Sequence, residues 1–146
     1  MTGLPLVLYA EDEESDALIL KRAFKKANVL NLLTIVKDGQ EAVDYLSGAA
    51  PYGDRREHPL PGLMLLDLKM PRMSGFDVLS WIAGAHPDLR SIPVVVLSSS
   101  SSDADIRKAR EMGAREYFVK PNALDQYAPL VQTWHSRWLT ALHHGR

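Results

Sequence analysis

The sequence has no cysteine among its 146 residues, so disulfide bonds, thiolate nucleophiles and cysteine-ligated zinc are excluded. It also has no apolar run approaching the ~20 residues that a membrane-spanning helix requires. The segment 1–4 lacks the basic start and the long apolar stretch of a signal peptide. These absences lead us to expect a cytoplasmic protein with no membrane partner.

The sequence also lacks an excess of either charge, because 17 basic and 18 acidic residues leave a net charge of -1. Nucleic-acid binding requires clustered lysine and arginine, so we expect no nucleic-acid partner. A hydrophobic content of 46% in 146 residues is enough to build one domain with its own core. We therefore expect a single domain over 1–146, with a core over about 4–142.

Short apolar runs alternate with longer amphipathic segments along the chain. The apolar runs predict strands at 4–9, 32–36, 63–66, 94–97 and 116–119. The amphipathic segments predict helices at 15–27, 40–46, 75–85, 103–112 and 124–142. This alternation is typical of right-handed βαβ units. The expected fold class is therefore α/β, with one doubly wound (βα)5 domain around a five-stranded parallel sheet.

Residues with reactive or charged side chains follow four of the predicted strands. Glu11 and Asp12 follow the first strand, and Asp67 follows the third. Ser98 comes after the fourth and Lys120 after the fifth. Ligands of open parallel sheets bind at the carboxyl ends of the strands, so we expect these side chains to converge. Clustered carboxylates suit Mg²⁺, and an aspartate can attack phosphorus while a hydroxyl and an ammonium bind the phosphoryl oxygens.

Taken singly, each of these residues also has an ordinary structural explanation. Asp67 could cap a turn, Ser98 could satisfy local backbone, and Lys120 could be a surface lysine before a proline. The acidic run 11–16 could be a solvated segment that favours the helix dipole. All of these explanations together require four strand ends to carry matching chemistry by accident, so we prefer the joint functional interpretation.

The chain resembles the receiver domain of two-component response regulators over nearly its whole length. The motifs that carry the resemblance stand in the family's order: Leu8-Tyr9-Ala10-Glu11-Asp12, Asp38-Gly39-Gln40-Glu41-Ala42, Leu66-Asp67-Leu68-Lys69-Met70-Pro71 with Gly75, Val94 to Ser99, Gly113-Ala114, and Tyr117-Phe118-Val119-Lys120-Pro121. Each motif alone is weak, but the set is highly specific. The resemblance implies a flavodoxin-like (CheY-like) sheet of order 2-1-3-4-5 and no output domain, since a single helix remains after Lys120.

The resemblance also implies a role for each matching residue. Asp67 is the expected phospho-acceptor, and Lys120 is expected to contact the phosphoryl group. The expected cofactor is Mg²⁺ (or Mn²⁺), with Asp12 and Asp67 as direct ligands. Glu11 is expected to act on the metal mainly through water, and the backbone carbonyl of Lys69 is expected to complete the protein's ligands.

Further residues are expected to act as a switch or to modulate it. Ser98 takes the place of the hydroxyl that follows the phosphoryl group, and Tyr117 that of the aromatic ring that turns inward with it. The Lys120–Pro121 bond is typically cis in such domains, which helps to aim the lysine. Lys69 stands two residues after the acceptor, and we predict that its ammonium changes the lifetime of the phosphorylated state.

The implied function is that of a single-domain response regulator in a two-component phosphorelay, a signalling switch rather than an enzyme. A sensor histidine kinase donates a phosphoryl group to Asp67, and the domain itself catalyses this transfer and a slow autodephosphorylation. Phosphorylation then alters protein–protein binding. Two alternatives stay open: a relay intermediate that passes the group to a histidine phosphotransfer protein, and an unphosphorylated pseudo-receiver scaffold.

Two unrelated functions fit the residues less well. A haloacid-dehalogenase-type phosphohydrolase needs a second aspartate two residues after its nucleophile, where this chain has Lys69. A flavodoxin-like cofactor binder needs a phosphate-cradling loop after the first strand. In this chain the acidic segment 11–14 would repel a phosphate there.

Two further features suggest partners. The long insertion 47–62 resembles single-domain regulators paired with bacterial phytochromes and related hybrid kinases. The last predicted helix carries an apolar stripe at helical spacing, made of Tyr127, Leu130, Val131, Trp134, Trp138 and Leu142. Much of this stripe belongs to the core, but we expect some apolar surface to remain and to support a homodimer through the fourth helix, fifth strand and fifth helix.

Overall fold

A computed structural model describes residues 4–140 of the chain, so Leu142 and the end of the predicted core lie outside the described residues. Its central sheet has five strands: β1 (Val7–Ala10), β2 (Leu33–Val36), β3 (Leu63–Leu66), β4 (Val94–Ser98) and β5 (Glu116–Val119). Neighbouring strands are parallel, in the order β2-β1-β3-β4-β5. The predicted fold class and strand order are confirmed.

Longer helices follow the strands: α1 (Glu14–Lys26), α2 (Gly39–Ser47), α3 (Gly75–Ala83), α4 (Asp103–Glu111) and α5 (Leu124–Trp134). A single helical turn at Pro87–Arg90, which the sequence pattern did not predict, lies between α3 and β4. Its proline stands in the first turn, where the fixed φ and the missing N–H are tolerated. Over 4–140, none of the helices combines the length and the apolar character needed to cross a membrane.

The prediction of one α-helix over 124–142 is wrong at its C-terminal end. α5 passes into a π-helical turn at His135–Leu139, and Thr140 is extended. The carbonyl of Leu139 accepts a 2.9 Å hydrogen bond from the side-chain amide of Asn31, which is buried. This distant donor satisfies one of the carbonyls that a helix end leaves free, and the helix stops there.

The three central strands are buried along their whole length, with side chains in a core on each face of the sheet. On one face Leu8 and Leu66 pack with Leu79 of α3. On the other face Tyr9 packs with Trp134 of α5. Successive strand residues point to opposite faces, so a sheet covered on both sides needs unbroken apolar runs. Each such buried side chain contributes about 1.5–3 kcal/mol, which makes the sheet a rigid base for its carboxyl edge.

Two glycines let the loop after β3 pack closely at that carboxyl edge. A Cβ on Gly75 would collide with the carbonyl of Asp67, and a Cβ on Gly39 would collide with the carbonyl of Met73. The amides of both glycines instead donate hydrogen bonds, Gly75 to the carbonyl of Leu68 at 2.9 Å and Gly39 to that of Met73 at 3.1 Å. The loop that follows Asp67 is therefore fixed against the starts of α2 and α3.

The long insertion between α2 and β3 is held by Arg55. Its guanidinium donates hydrogen bonds of 2.9 and 2.8 Å to the carbonyls of Tyr45 and Leu46 at the end of α2. It also donates a 3.1 Å bond to the carbonyl of His58 within the insertion. The rings of Tyr52 and Tyr45 pack 5.0 Å apart. The insertion is thus closed onto the C-terminus of α2, where a positive charge is favourable.

Candidate functional site

The carboxyl edge of the sheet carries three acids that we call the acid cluster: Glu11 and Asp12 after β1, and Asp67 after β3. One carboxylate oxygen of each lies within 4.8 Å of the others. Glu11 and Asp67 are 1% and 5% exposed, and Asp12 is half-buried. The structure therefore brings together the three side chains predicted as metal ligands. Hard carboxylate oxygens in this number fit a divalent cation.

The electrostatics of the acid cluster also fit a cation. Burial of Asp67 and the charge of Glu11 raise the pKa of the Asp67 carboxyl to about 7. The Lys120 ammonium and the backbone N–H of Leu68 lower that pKa without cancelling the increase. Two buried acids this close resist ionising together. A cation among them would favour the ionised form of both.

Lys120 reaches the acid cluster from the end of β5. Its Nζ lies 2.7 Å from Glu11 Oε1, 2.7 Å from Asp16 Oδ2 and 3.6 Å from Asp67 Oδ2. Burial alone would lower the pKa of Lys120, but its hydrogen bonds to Asp16 and Glu11 and the charge of Asp67 raise it above its usual value. The lysine is therefore a fixed positive charge beside Asp67, as predicted. Its contact with Asp16 was not predicted from the sequence.

Glu11 is held by the protein through both of its carboxylate oxygens. Tyr9 donates a 2.9 Å hydrogen bond from its hydroxyl to Oε1, and the backbone N–H of Glu13 donates a 3.1 Å bond to Oε2. Sequence reasoning missed Tyr9. The two-residue spacing from Glu11 was the available signal, because residues two apart on an extended strand share a face. With both oxygens engaged, Glu11 is oriented before any ligand arrives.

Ser98 and Tyr117 are connected by hydrogen bonds to the same residue, Ser100. Ser98 is fully buried at the end of β4, and its Oγ accepts a 3.2 Å hydrogen bond from the N–H of Ser100. The ring of Tyr117 is turned inward and 8% exposed, and its hydroxyl donates a 2.8 Å bond to the carbonyl of Ser100. The two predicted switch residues are thus brought together by Ser100, which the sequence analysis did not single out.

Two expectations near the site have different outcomes. The side chain of Lys69 is exposed, and the ligand role of its carbonyl stays a prediction. The prediction of a cis bond at Lys120–Pro121 is wrong. Within residues 4–140 the cis peptide bond is Ala50–Pro51, and Lys120–Pro121 is trans. The N–H of Lys120 donates a 2.8 Å hydrogen bond to the carbonyl of Ser98. The lysine is therefore aimed from a trans backbone, the form that X–Pro bonds favour.

A salt bridge fixes the loop between β3 and α3, which carries Lys69. Arg72 donates hydrogen bonds of 3.0 and 2.7 Å from Nε and Nη2 to Oδ2 of Asp38. The other oxygen of Asp38 caps α2 by accepting a 2.8 Å bond from the N–H of Glu41. Arg72 itself has a positive φ of 65°, a conformation that needs support from its surroundings. The loop beside the acid cluster is therefore tied to the start of α2.

Comparison with known proteins gives consistent matches. The sequence model of the response regulator receiver domain matches residues 7–132. Response regulator Rcp1 of Synechocystis is 33% identical over 92% of this chain and 88% of its own length. The structure of Rcp1 in its Mn²⁺-bound form has a TM-score of 0.80 at 32% identity, and covers 95% of this chain and 97% of that chain.

Two further solved structures are similar over almost the whole chain. Response regulator RPA3017, described in red light signaling of R. palustris, is 35% identical with a TM-score of 0.86, and the match covers 96% of this chain and 97% of that one. The phosphorylated cyanobacterial phytochrome response regulator RcpA is 31% identical with a TM-score of 0.83, over 95% of this chain and 96% of that one.

Proposed function

The chain belongs to the response regulator receiver domain family, and we propose from that premise that Asp67 accepts a phosphoryl group from the phosphohistidine of a sensor histidine kinase. A carboxylate oxygen of Asp67 attacks phosphorus and the P–N bond breaks. The electron pair of that bond returns to the imidazole, which takes up a proton. The observation that carries this proposal is the buried Asp67 carboxylate, with the Lys120 ammonium 3.6 Å away and two further acids beside it.

We propose Mg²⁺, with Mn²⁺ as its substitute, as the cation of this site. Asp12 and Asp67 would hold it directly and Glu11 through water, and the carbonyl of Lys69, in the same loop as Asp67, would complete the protein's ligands. When bound, the cation supplies positive charge to the phosphoryl oxygens. The three carboxylates of the acid cluster support this assignment, since they leave a concentrated negative charge that a divalent ion would neutralise. The Mn²⁺-bound form of Rcp1 supports it independently.

The remaining residues of the site either bind the phosphoryl group or change conformation in response to it. Lys120 exchanges one of its carboxylate contacts for a phosphoryl oxygen, which compensates the charge that transfer brings in. The hydroxyl of Ser98 donates a hydrogen bond to another phosphoryl oxygen. Tyr117, which is linked to Ser98 through Ser100, conveys the change in Ser98 to the surface around α4 and β5.

The phosphorylated chain signals through protein contacts, and we propose that it does so as one receiver unit in the cytoplasm, where histidine kinases present their phosphohistidine. The similarity to RPA3017, a regulator in red light signaling, and to the phytochrome response regulator RcpA supports a phytochrome-type kinase as the donor. Much of the apolar stripe is used inside the molecule, since Tyr127, Val131 and Trp134 are buried and Leu130 and Trp138 pack against the same core. Val119, on edge strand β5 and 44% exposed, instead supports a homodimer through α4, β5 and α5.

Incubation of the full chain with Mg²⁺ and acetyl phosphate tests the acceptor. Intact mass is expected to show one added phosphoryl group on the parent chain, and none after removal of the metal with a chelator. Asp67→Asn is expected to take up no phosphoryl group. Asp125→Asn, which neutralises an exposed acid on α5, is the matched control and is expected to behave as the parent. Equal phosphorylation of Asp67→Asn and the parent would contradict the assignment.

A further inference from the structure

Ser100 lies at the centre of a hydrogen-bond network that links the site to α4. Its N–H donates to Ser98 Oγ at 3.2 Å, and its carbonyl accepts from the hydroxyl of Tyr117 at 2.8 Å. Its own hydroxyl donates a 2.6 Å bond to Oδ2 of Asp105, in the first turn of α4. The Ser100 hydroxyl oxygen also accepts a 3.3 Å bond from the N–H of Ser102. All three polar groups of this half-buried residue are therefore engaged.

The direction of these bonds leaves Ser98 free to respond to a phosphoryl group. A serine hydroxyl offers one donor and two acceptor positions. Ser98 uses one acceptor position for the N–H of Ser100, so its own proton can be donated to a phosphoryl oxygen on Asp67. Because the N–H of Ser100 is bonded to Ser98 Oγ, movement of Ser98 toward that oxygen pulls the backbone of Ser100 with it. Because the Ser100 hydroxyl is bonded to Asp105, the same movement acts on the first turn of α4.

The packing of α4 makes its polar contacts important. Ala109 is the one buried residue of α4, whereas five residues of α2 are buried. Little apolar burial therefore holds α4 against the sheet. At its N-terminus, Ser102 accepts a 3.3 Å hydrogen bond from the N–H of Asp105, and the Asp105 carboxylate accepts the bond from Ser100. A helix anchored in this way can change position when one polar contact changes.

We propose that Ser100 is a positioning residue that couples phosphorylation at Asp67 to the first turn of α4, through its bond to Asp105. This inference rests on the proposed function, because it concerns what happens after Asp67 is phosphorylated. Ser100 does not touch the reacting atoms. Its loss is expected to leave phosphoryl uptake intact and to remove the response of α4.

Hydrogen exchange of the full chain, measured by mass spectrometry with and without acetyl phosphate and Mg²⁺, tests the coupling. In the parent, phosphorylation is expected to change exchange across the first turn of α4. Ser100→Ala is expected to exchange about fivefold faster there before phosphorylation, because one hydrogen bond is lost, and to show no further change on phosphorylation. Intact mass on the same samples gives the fraction of chain phosphorylated.

Ser101→Ala is the matched control, since Ser101 is an exposed neighbour in the same serine run. It is expected to keep the full phosphorylation-dependent change, and Ser100→Thr, which retains the hydroxyl, is expected to restore it. Asp105→Ala removes the other end of the same bond and is expected to reproduce Ser100→Ala, which supplies a second test should Ser100→Ala fail to fold.

The outcomes separate the two proposals. A parent chain that takes up no phosphoryl group would overturn the proposed function and this inference with it. In a second outcome, the parent is phosphorylated and its hydrogen exchange across the first turn of α4 changes. If Ser100→Ala and Asp105→Ala then show the same change, only the role of Ser100 is overturned. Loss of the response in both variants, with unchanged phosphoryl uptake and a normal Ser101→Ala control, supports the coupling.

Discussion

The ammonium of Lys120 lies 2.7 Å from the carboxylate of Asp16 but 3.6 Å from that of Asp67. Glu11 is its other close partner, also at 2.7 Å. The lysine therefore has to give up one of these contacts to reach a phosphoryl oxygen on Asp67. Asp16 is the partner that can be released, because its side chain is 28% exposed whereas that of Glu11 is fully buried.

Asp16→Asn is expected to favour the phosphorylated state. The neutral side chain competes less strongly for Lys120, so the ammonium is more available to the phosphoryl group. A partly exposed, charge-assisted hydrogen bond contributes about 1 kcal/mol, and the half-saturating acetyl phosphate concentration should fall by about fivefold. The phosphorylated fraction from intact mass, measured against phosphodonor concentration at fixed Mg²⁺, provides the test.

Glu14→Gln is the control for this effect, because it removes the same charge from the same turn of α1 at an exposed position. It is expected to leave the half-saturating concentration within about twofold of the parent value. A higher half-saturating concentration for Asp16→Asn than for Glu14→Gln would show that Asp16 aids phosphorylation rather than competing with it.

The raised pKa of Asp67 predicts a pH-dependent cost to folding. The carboxyl titrates at about 7 in the folded chain, against an ordinary value of 3.8. The folded chain therefore holds this proton more tightly than the unfolded chain, and stability falls as the pH rises from about 4 to 7. Asp67→Asn removes this ionisation and is expected to stabilise the metal-free protein at pH 8 by on the order of 2 kcal/mol.

Urea unfolding in the presence of a chelator measures this difference. The gain from Asp67→Asn is expected at pH 8 and should shrink toward pH 5, where the folded parent has its Asp67 carboxyl protonated. Asp125→Asn, which changes an exposed acid, is expected to show no such trend. A gain that stays equal at both pH values would mean that Asp67 is not held in its protonated form by the fold.

The strand-end residues were predictable from sequence because βαβ connectivity leaves little choice. Each parallel strand presents its carboxyl end to the same edge, so Asp67, Ser98 and Lys120 had to converge once their strands were recognised. Their distance along the chain does not matter to this argument. The strand runs themselves were clear, since burial on both faces requires unbroken apolar sequence.

Contacts that depend on how a helix or loop is oriented were not predictable in the same way. The bond between Lys120 and Asp16 depends on the rotation of α1 against the sheet. The end of the π-helical turn depends on Asn31, which is 108 residues away from Leu139 in the sequence. Local periodicity describes one element at a time and contains no information on such distant partners.

Arg72→Gln is expected to weaken the binding of Mg²⁺. The salt bridge from Arg72 to Asp38 holds the loop that carries Lys69 in place, and its guanidinium makes two bonds to one carboxylate oxygen. The Arg72 side chain is 64% exposed, and an exposed ion pair contributes up to about 1 kcal/mol, so we expect the affinity for Mg²⁺ to fall by up to about fivefold. Phosphorylation rate measured against Mg²⁺ concentration gives the apparent affinity.

Arg56→Gln is the control for loss of an arginine, since Arg56 is 95% exposed and its nearest acid is 3.7 Å away. It is expected to leave the Mg²⁺ dependence unchanged. Asp38→Asn is expected to resemble Arg72→Gln, and the double variant should be no worse than either single one, because both remove the same bridge. Unchanged Mg²⁺ dependence in Arg72→Gln would separate this bridge from the metal site.

Lys69→Asn is expected to shorten the lifetime of the phosphorylated state. Lys69 stands two residues after the acceptor with an exposed side chain, so its ammonium can lie beside the phosphoryl oxygens and hinder the approach of water. An exposed ion pair contributes up to about 1 kcal/mol, which corresponds to a dephosphorylation rate up to about fivefold higher in the variant. The rate follows from the decay of phosphorylated mass after the phosphodonor is removed. Lys25→Asn, on the exposed face of α1, is the control with the same loss of charge, and identical decay in all three chains would show that Lys69 has no part in the lifetime.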